Sequence, residues 1–373
     1  MFWEMLIGGG GHVFEVQGIA LRPFLFLFAI FNTIYILAIN KYRLRYSVFV
    51  TFLTYLCLIF YGVLIGVTKG FPLNSIISDV KPFFYLLLLS ILIHFRRFYD
   101  YKYINMLVIV SSLVISLYVF TILISLTLGL LSFESLYAWG MSSGEFLFRG
   151  KEGLFFYKAV YVVCAGFLIL LLKKDRTKKE FIFLGIFLIS ILITMTKGLI
   201  LCIGLIIITF FLYRQRFLMG VLSLGIGIVL FMFLVFTRNE LDSSNISLST
   251  RALDIEYVVQ NTSFTSLFFG NGFGSEIRGR TAIENSYIWI WWKLGIFPII
   301  FIVGILVNAF HYYRRLRGNR EFLADAYLGL VLFVYLISLI NPLITNVIGM
   351  TIIFLSFAGF KSLGVVDQMR SKD

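Results

Sequence analysis

Long apolar runs without charge constrain this chain more than any other feature. Five stretches are nearly free of charged residues: 24–39, 104–131, 154–172, 217–236 and 322–340. A helix needs about 20 mostly apolar residues to cross the hydrocarbon core of a bilayer. Because lipid offers the backbone no hydrogen-bond partners, such runs must be helical. The sequence therefore predicts an all-α polytopic membrane bundle of about 10–12 transmembrane helices, which forms a single integral membrane domain over residues 1–373.

Basic residues predict the orientation of this bundle. The predicted spans are 22–40, 46–67, 81–95, 104–130, 154–172, 181–196, 198–213, 217–236, 286–310, 322–340 and 343–360. If alternate connections share a side, one side carries 20 of the 32 Lys and Arg residues, which is typical of cytoplasmic loops. The net charge of +13 is therefore explained by topology, and we predict no nucleic-acid partner. This assignment puts the N-terminus outside, with a short re-entrant start at 2–7 as one option.

Cysteine and histidine residues are few and scattered. The cysteines, Cys57, Cys164 and Cys202, all fall within predicted spans, so they form no disulfide framework. The histidines are His12, His94 and His311, and no two of them share a helical face. Asp254 and Glu256 are two positions apart and diverge on a helix. We therefore predict neither a metal nor a cofactor.

Two connections on the predicted outer side are longer than ordinary turns: the shorter lies at 131–153 and the larger at 237–285. Loops longer than about 12–15 residues are usually functional or disordered. The basic residues of the large loop are all arginines: Arg238, Arg251, Arg278 and Arg280. Arginine presents a planar fork that binds phosphate through two hydrogen bonds. The loop is therefore a candidate site for a diphosphate group, and a solvated face of mixed charge is the alternative.

The large loop has two recognisable local patterns. Ser249 or Thr250 is a candidate N-cap for a helix that runs to about Asn261. Within that helix, Arg251 and Asp254 are spaced for a local ion pair. The glycine-rich segment 270–274 is either a plain turn or a run of N–H groups that faces an anion.

Two charged residues mark the ends of predicted outer-side helices. Glu284 precedes a helix with three tryptophans and is a candidate general base at the mouth of an apolar bundle. The alternative is an acid that complements the helix dipole. Lys197 stands in a tight turn between two spans, where a lone charge usually has a functional role. Snorkelling to the interface is the alternative for Lys197.

The order of these parts resembles the O-antigen polymerase and O-antigen ligase superfamily. The matching motifs are Thr196-Lys197-Gly198, Arg251 within Ser249–Leu253, Gly270–Gly274, Glu284-Asn285-Ser286-Tyr287, Lys293-Leu294-Gly295 and, more loosely, Arg149-Gly150. The motifs cover about residues 140–300, and the layout covers the whole chain. Lys197 stands where arginine is common in the family. Ligases typically have His-Asn where this chain has Glu284-Asn285, which favours a polymerase.

The resemblance implies a membrane glycosyltransferase at the periplasmic face of the bacterial inner membrane. Its substrates would be oligosaccharide repeat units on undecaprenyl diphosphate, joined into surface polysaccharide such as O-antigen or capsule. The implied catalytic residues are Glu284 and Arg251. The implied substrate-binding residues are Arg149, Lys197, Arg278, Arg280, Asp254, Asn285, Tyr287 and Gly272. The implied partners are the lipid-linked donor and acceptor, membrane lipids and a chain-length regulator.

Three alternatives remain open at this point. A ligase would transfer finished glycan to lipid A core through the same cations. A flippase or transporter would show charged residues within spans, or paired broken helices in two related halves. The sequence shows neither sign. A non-enzymatic membrane scaffold would not need the long outer loop.

Overall fold

A computed structural model describes most of the chain. It covers residues 2–8, 15–16, 19–20, 46–92, 100–144, 146–148, 155–174, 176–194, 196–213, 243–316 and 321–370, with single positions between 24 and 35. Most of the predicted span 22–40, the whole of 217–236, and Arg149 lie outside the described residues.

Helices make up almost all of the described chain. They are α1 (Phe2–Ile7), α2 (Tyr46–Thr68), α3 (Leu73–Leu92), α4 (Tyr101–Thr127), α5 (Phe133–Ser143), α6 (Val160–Leu172), α7 (Lys178–Ile193), α8 (Lys197–Tyr213), α9 (Ser243–Asn261), α10 (Phe264–Phe269), α11 (Ser286–Leu294), α12 (Ile296–Arg315), α13 (Glu321–Ile337) and α14 (Val347–Arg370). Two short antiparallel hairpins join β1 (Glu15–Val16) to β2 (Ile19–Ala20) and β3 (Phe146–Phe148) to β4 (Phe155–Tyr157).

The predicted fold class is confirmed. Among the described residues, three helices are long and apolar enough to cross a bilayer: Tyr101–Thr127, Ile296–Arg315 and Val347–Gly364. Shorter apolar helices accompany them at Leu53–Thr68, Val160–Leu172, Lys197–Tyr213 and Phe322–Ile337. The chain is therefore an all-α, membrane-embedded helix bundle.

The centre of the bundle is α6, which packs against α4, α7 and α13. Of its residues only Leu171 is not buried. Small residues let α4 and α6 approach closely, as is common between membrane helices. The Ser112 hydroxyl donates to the carbonyls of Val108 and Val162, both at 2.8 Å. A Cβ on Gly166 would lie 2.2 Å from Ser112 Oγ.

The two long C-terminal spans differ in burial. In the apolar part of α14, 83% of the residues are buried, against 22% in α12. The exposed residues Ile300, Val303 and Val307 recur along α12 at intervals of three or four. This spacing gives α12 an apolar stripe on one face. Since the bundle is membrane-embedded, that stripe faces lipid.

Several predicted boundaries were wrong. Helix α3 begins at Leu73 rather than 81, and the segment predicted to open a span at 154 starts as strand β4. The predicted loop 131–153 contains helix α5 and strand β3. The predicted span 286–310 is broken at Gly295, whose φ of 76° ends α11 before α12 begins. A Cβ there would lie 2.0 Å from the Phe268 carbonyl oxygen, so α10 packs directly against the break.

Candidate active site

Helix α9 presents the first two charged residues of the site. It begins at Ser243, so Ser249 and Thr250 lie inside the helix, and their predicted capping role was wrong. Arg251 and Asp254 are three residues apart and share a face. Arg251 pairs with Glu284, and Asp254 pairs with Arg278 and Arg280, so the predicted local pair is replaced by pairs between α9 and segment 276–285.

Arg251 and Glu284 form the first of these pairs. The Arg251 Nε donates a hydrogen bond to Glu284 Oε2. The side chains keep 26% and 47% of their accessible surface, respectively, so the pair lies at the surface of the fold and a ligand can reach it. The two residues implied as catalytic are therefore in direct contact.

Asp254 is the centre of the second set of pairs. Its carboxylate is buried and accepts a hydrogen bond from Arg280 Nη2. Arg278 Nη1 lies 3.5 Å from the same oxygen. A buried carboxylate is costly unless it is paired, so the two guanidinium groups stabilise Asp254 and Asp254 fixes their positions. We call Arg251, Asp254, Arg278, Arg280 and Glu284 the arginine cluster.

A tight turn places Arg278 in the cluster. The backbones of Ile277 and Arg280 exchange two hydrogen bonds, at 2.9 and 3.0 Å. Between them, Arg278 has φ 52° and Gly279 has φ 73°. Positive φ at both central positions is the pattern of a type I′ turn, in which Asn-Gly is the usual pair. Arginine is uncommon at such a φ, which suggests a function for its side chain.

The N–H groups of the glycine-rich turn 270–274 form hydrogen bonds within the protein. The N–H groups of Asn271 and Gly272 donate to the carbonyls of Trp292 and Lys293, each at 2.8 Å, and that of Phe273 donates to Gly62 at 3.0 Å. These three N–H groups pair with backbone carbonyls, whereas the N–H of Gly274 donates to the Asp79 carboxylate at 2.7 Å, so this part of the turn faces an anionic side chain of the protein itself. Gly272 packs closely on α2, since a Cβ added there would lie 2.6 Å from the nitrogen of Gly66, and its substrate-binding role stays a prediction.

Asn285 and Tyr287 have structural contacts. Asn285 is the N-cap of α11, and its Oδ1 accepts hydrogen bonds from the N–H groups of Tyr287 and Ile288 at 3.0 and 3.1 Å. The Tyr287 hydroxyl donates to the Tyr335 carbonyl at 2.9 Å. These bonds fix the start of α11 immediately after Glu284. A substrate-binding role for either residue stays a prediction.

A buried ion pair was missed by the sequence analysis, which found no charged residues within spans. Lys293 Nζ donates to Asp79 Oδ2, and both side chains are buried. The same oxygen accepts a hydrogen bond from the N–H of Gly274 at 2.7 Å. Lys293 falls inside a predicted span, and Asp79 lies in what was predicted as a connection. No periodicity signals a pair 214 positions apart.

Comparison with known proteins now adds an independent observation. No profile of a known protein family matches the chain. The chain is 30% identical over 324 residues to an O-antigen polymerase from Shigella flexneri, a region that covers 82% of this chain and 81% of that protein. The chain belongs to the O-antigen polymerase family. The resemblance found in the sequence motifs is thereby confirmed.

In this O-antigen polymerase family member, Lys197 is the first residue of α8 and is half-buried. A Cβ on the adjacent Gly198 would lie 2.1 Å from Ile340 Cδ1, so α8 starts beside the end of α13. The Ser338 carbonyl in that region accepts the N–H of Ser286 at 3.0 Å. Lys197 is therefore at the same end of the bundle as the arginine cluster, and its substrate role stays a prediction.

Charge balance defines what the arginine cluster of this family member offers chemically. Three guanidinium groups meet two carboxylates, so one positive charge is in excess. Phosphate oxygens accept the same charge-assisted hydrogen bonds from guanidinium as carboxylates do. The cluster is thus preorganised for an anionic ligand that competes with its own acids.

Proposed function

We propose that this protein joins oligosaccharide repeat units carried on undecaprenyl diphosphate into O-antigen-like polysaccharide at the periplasmic face of the inner membrane. The contact between Arg251 and Glu284 carries the proposal, because it puts a phosphate-binding group beside a proton acceptor. Membership of the O-antigen polymerase family supports the class of reaction.

The proposed reaction is a glycosyl transfer between two lipid-linked glycans. A hydroxyl oxygen of the acceptor attacks the anomeric carbon of the donor, and the bond between that carbon and the diphosphate oxygen breaks. The hydroxyl proton passes to Glu284, the proposed general base. Undecaprenyl diphosphate leaves with the bonding electron pair. Arg251, Arg278 and Arg280 stabilise the charge that develops on the departing oxygen.

The ion pair between Arg251 and Glu284 couples binding to proton transfer in this scheme. A diphosphate that reaches Arg251 competes with the Glu284 carboxylate for the same guanidinium donors. Its binding releases the Glu284 carboxylate from the guanidinium, so that its oxygen is open to a hydrogen bond from the acceptor hydroxyl. The base is thus freed when the donor is in place.

An apolar cleft below α11 supports the lipid part of the proposal. It lies between α2, α3, α11, α12 and α14, and its walls include Tyr55, Ile290, Leu294 and Ile302. Apart from the Tyr55 hydroxyl these side chains are hydrocarbon or aromatic, so the cleft, of about 40 Å³, offers an apolar surface to a short part of a polyprenyl chain. Since Glu284 lies two residues before the start of α11, the helix that lines the cleft begins next to the arginine cluster.

The test uses purified protein in detergent, supplied with lipid-linked repeat units. We expect a ladder of glycan lengths from the wild type, and loss of long products from Arg251→Ala and Glu284→Ala at normal membrane insertion. Glu284→Gln keeps the shape and removes the basicity, so it also loses the long products if Glu284 is the base. Glu256→Gln on exposed α9 is the matched control and retains the ladder.

The same assay separates the alternatives. A flippase makes no new glycosidic bond under these conditions. A ligase forms product only when lipid A core is supplied as the acceptor. Full-length polymer from both Arg251→Ala and Glu284→Ala would contradict the roles proposed for these residues.

A further inference from the structure

The buried pair of Asp79 and Lys293 joins three parts of the fold. Asp79 is on α3 and is 5% exposed, whereas Lys293 is on α11 and is fully buried. The Lys293 ammonium also lies 4.9 Å from the centre of the Trp289 ring, a cation–π contact. The third part is the turn at Gly274, whose N–H donates to Asp79 at 2.7 Å.

That turn lies in a notch formed by two glycines of α2. The N–H of Phe273 donates to the Gly62 carbonyl, and a Cβ on Gly66 would lie 2.3 Å from the Phe273 carbonyl oxygen. The Phe273 ring is fully buried against Phe83 and Trp289. The hydrogen bond from Gly274 to Asp79 follows these contacts, and Ser275 and Ile277 beyond it are still buried.

Three members of the arginine cluster, Arg278, Arg280 and Glu284, follow within ten residues of Gly274. Gly274 is three residues before Ile277, where the hairpin that carries Arg278 and Arg280 starts. Because the segment from Gly274 to Arg280 is short, fixing its first residue restricts where its last residues can lie. Gly274 is therefore one of the points that fix where Arg278 and Arg280 lie, together with buried Ile277 and the hydrogen bond that Trp289 Nε1 donates to the Thr281 carbonyl at 2.9 Å.

Stability alone is a weak reason for this pair. Replacing a buried ion pair by apolar side chains of similar volume is often neutral or stabilising, whereas breaking it by removing one partner is strongly destabilising. An apolar side chain at position 79 supplies no acceptor for the N–H of Gly274. Only a polar side chain at position 79 can accept the hydrogen bond from the N–H of Gly274.

We infer that Asp79 is a positioning residue for the arginine cluster: it holds Gly274 through its carboxylate, and Lys293 neutralises the charge. The inference rests on the proposed function for its catalytic consequence. Its structural consequence, a fixed segment 272–284, does not depend on the reaction.

Two double variants separate the hydrogen bond from the charge. Asp79→Asn with Lys293→Met removes both charges and keeps an amide oxygen that accepts the N–H of Gly274. Asp79→Leu with Lys293→Met removes the acceptor as well. Should the leucine variant not insert, Asp79→Ala with Lys293→Met replaces it without added bulk. Tyr313→Phe is the control, because it removes a donor to the buried carboxylate of Asp325 near the start of α13, at the end away from the cluster.

Amide hydrogen exchange of peptides across 272–284 and the glycan ladder are measured on each protein. We expect the asparagine variant and Tyr313→Phe to match the wild type in both. The leucine variant should exchange about five- to tenfold faster, the effect of one lost hydrogen bond, and lose its long products. Wild-type exchange in the leucine variant would overturn the inference, with or without a ladder. A wild type without a ladder would overturn the proposed function and leave the exchange result as the test of positioning.

Discussion

Arg251 and Glu284 are 33 positions apart in the sequence and are joined by a hydrogen bond from Nε to Oε2. One helical turn away, Asp254 pairs with Arg280 and Arg278. An arginine of α9 thus meets an acid of the following loop, and an acid of α9 meets arginines of that loop. This crossed pairing holds one turn of α9, from Arg251 to Asp254, against the loop segment from Arg278 to Glu284.

The first prediction concerns the planar guanidinium group of Arg251. Arg251→Lys keeps the charge and loses the planar fork, so a diphosphate bound as proposed would lose one of two parallel hydrogen bonds. We expect the rate of polymer formation to fall about 10- to 100-fold, the effect of a lost charge-assisted bond. The rate is measured with saturating lipid-linked repeat unit. Lys174→Arg, on the connection between α6 and α7, is the control and should leave the rate unchanged. Equal rates for Arg251→Lys and the wild type would mean that Arg251 acts as a point charge.

The turn at Arg278 separates stability from function. Arg278→Asn supplies the residue that a type I′ turn prefers before glycine. We therefore expect the free energy of unfolding to change by no more than about 1 kcal/mol, because the better tolerance of asparagine for positive φ offsets the loss of one of the two guanidinium partners of Asp254, which keeps Arg280. Polymer synthesis should fall, because the guanidinium beside Asp254 is gone. Thermal unfolding in detergent and the glycan ladder are compared on one preparation. Unchanged synthesis would show that the Arg278 side chain is dispensable.

Gly272 tests the packing of the turn against α2. Gly272→Ala adds a Cβ about 2.6 Å from the Gly66 nitrogen at a φ of 89°. Backbone strain and overpacking together should lower the free energy of unfolding by about 2–4 kcal/mol. The control is Gly304→Ala in α12, where an added Cβ meets no atom within 4 Å. That control should be neutral or slightly stabilising, since alanine favours helix. If Gly272→Ala unfolds like the wild type, the close approach is not required.

Asn285 allows capping and substrate binding to be distinguished. Asn285→Ser retains a side-chain oxygen that caps α11, whereas Asn285→Ala loses it at a cost of about 1 kcal/mol. We expect the serine variant to keep the wild-type melting temperature and ladder, and the alanine variant to melt lower. Loss of polymer in the serine variant, at an unchanged melting temperature, would show that the amide contacts substrate.

Much of the fold follows from the sequence because membrane helices are specified by apolar length. Spans such as α2 and α4 begin and end within a few residues of their predicted limits, since lipid leaves the backbone no other solution. The errors occur where a contact from elsewhere decides the backbone. Gly295 interrupts an apolar run that the sequence predicts as one continuous span, because Phe268 of α10 packs against the Gly295 Cα.

The site was predictable in part, and for a similar reason. Arginine type and loop length pointed to Arg251, Arg278 and Arg280, and the position before a helix pointed to Glu284. Their pairing was not predictable, because local spacing favours Arg251 with Asp254 and only the tertiary fold brings 276–285 against α9. Asp79 escaped notice altogether, since its partners Lys293 and Gly274 are about 200 positions away.

The insertion of Phe273 between helices limits how the large loop can move. Swinging the whole loop aside like a hinged cover would extract this ring from Phe83 and Trp289, at a cost of about 3–5 kcal/mol. It would also break the hydrogen bonds of Asn271, Gly272 and Gly274. Rearrangement is therefore confined to the stretch after Gly274. Under the proposed function, a lengthening sugar chain would therefore pass a loop whose edge at Phe273 stays in place.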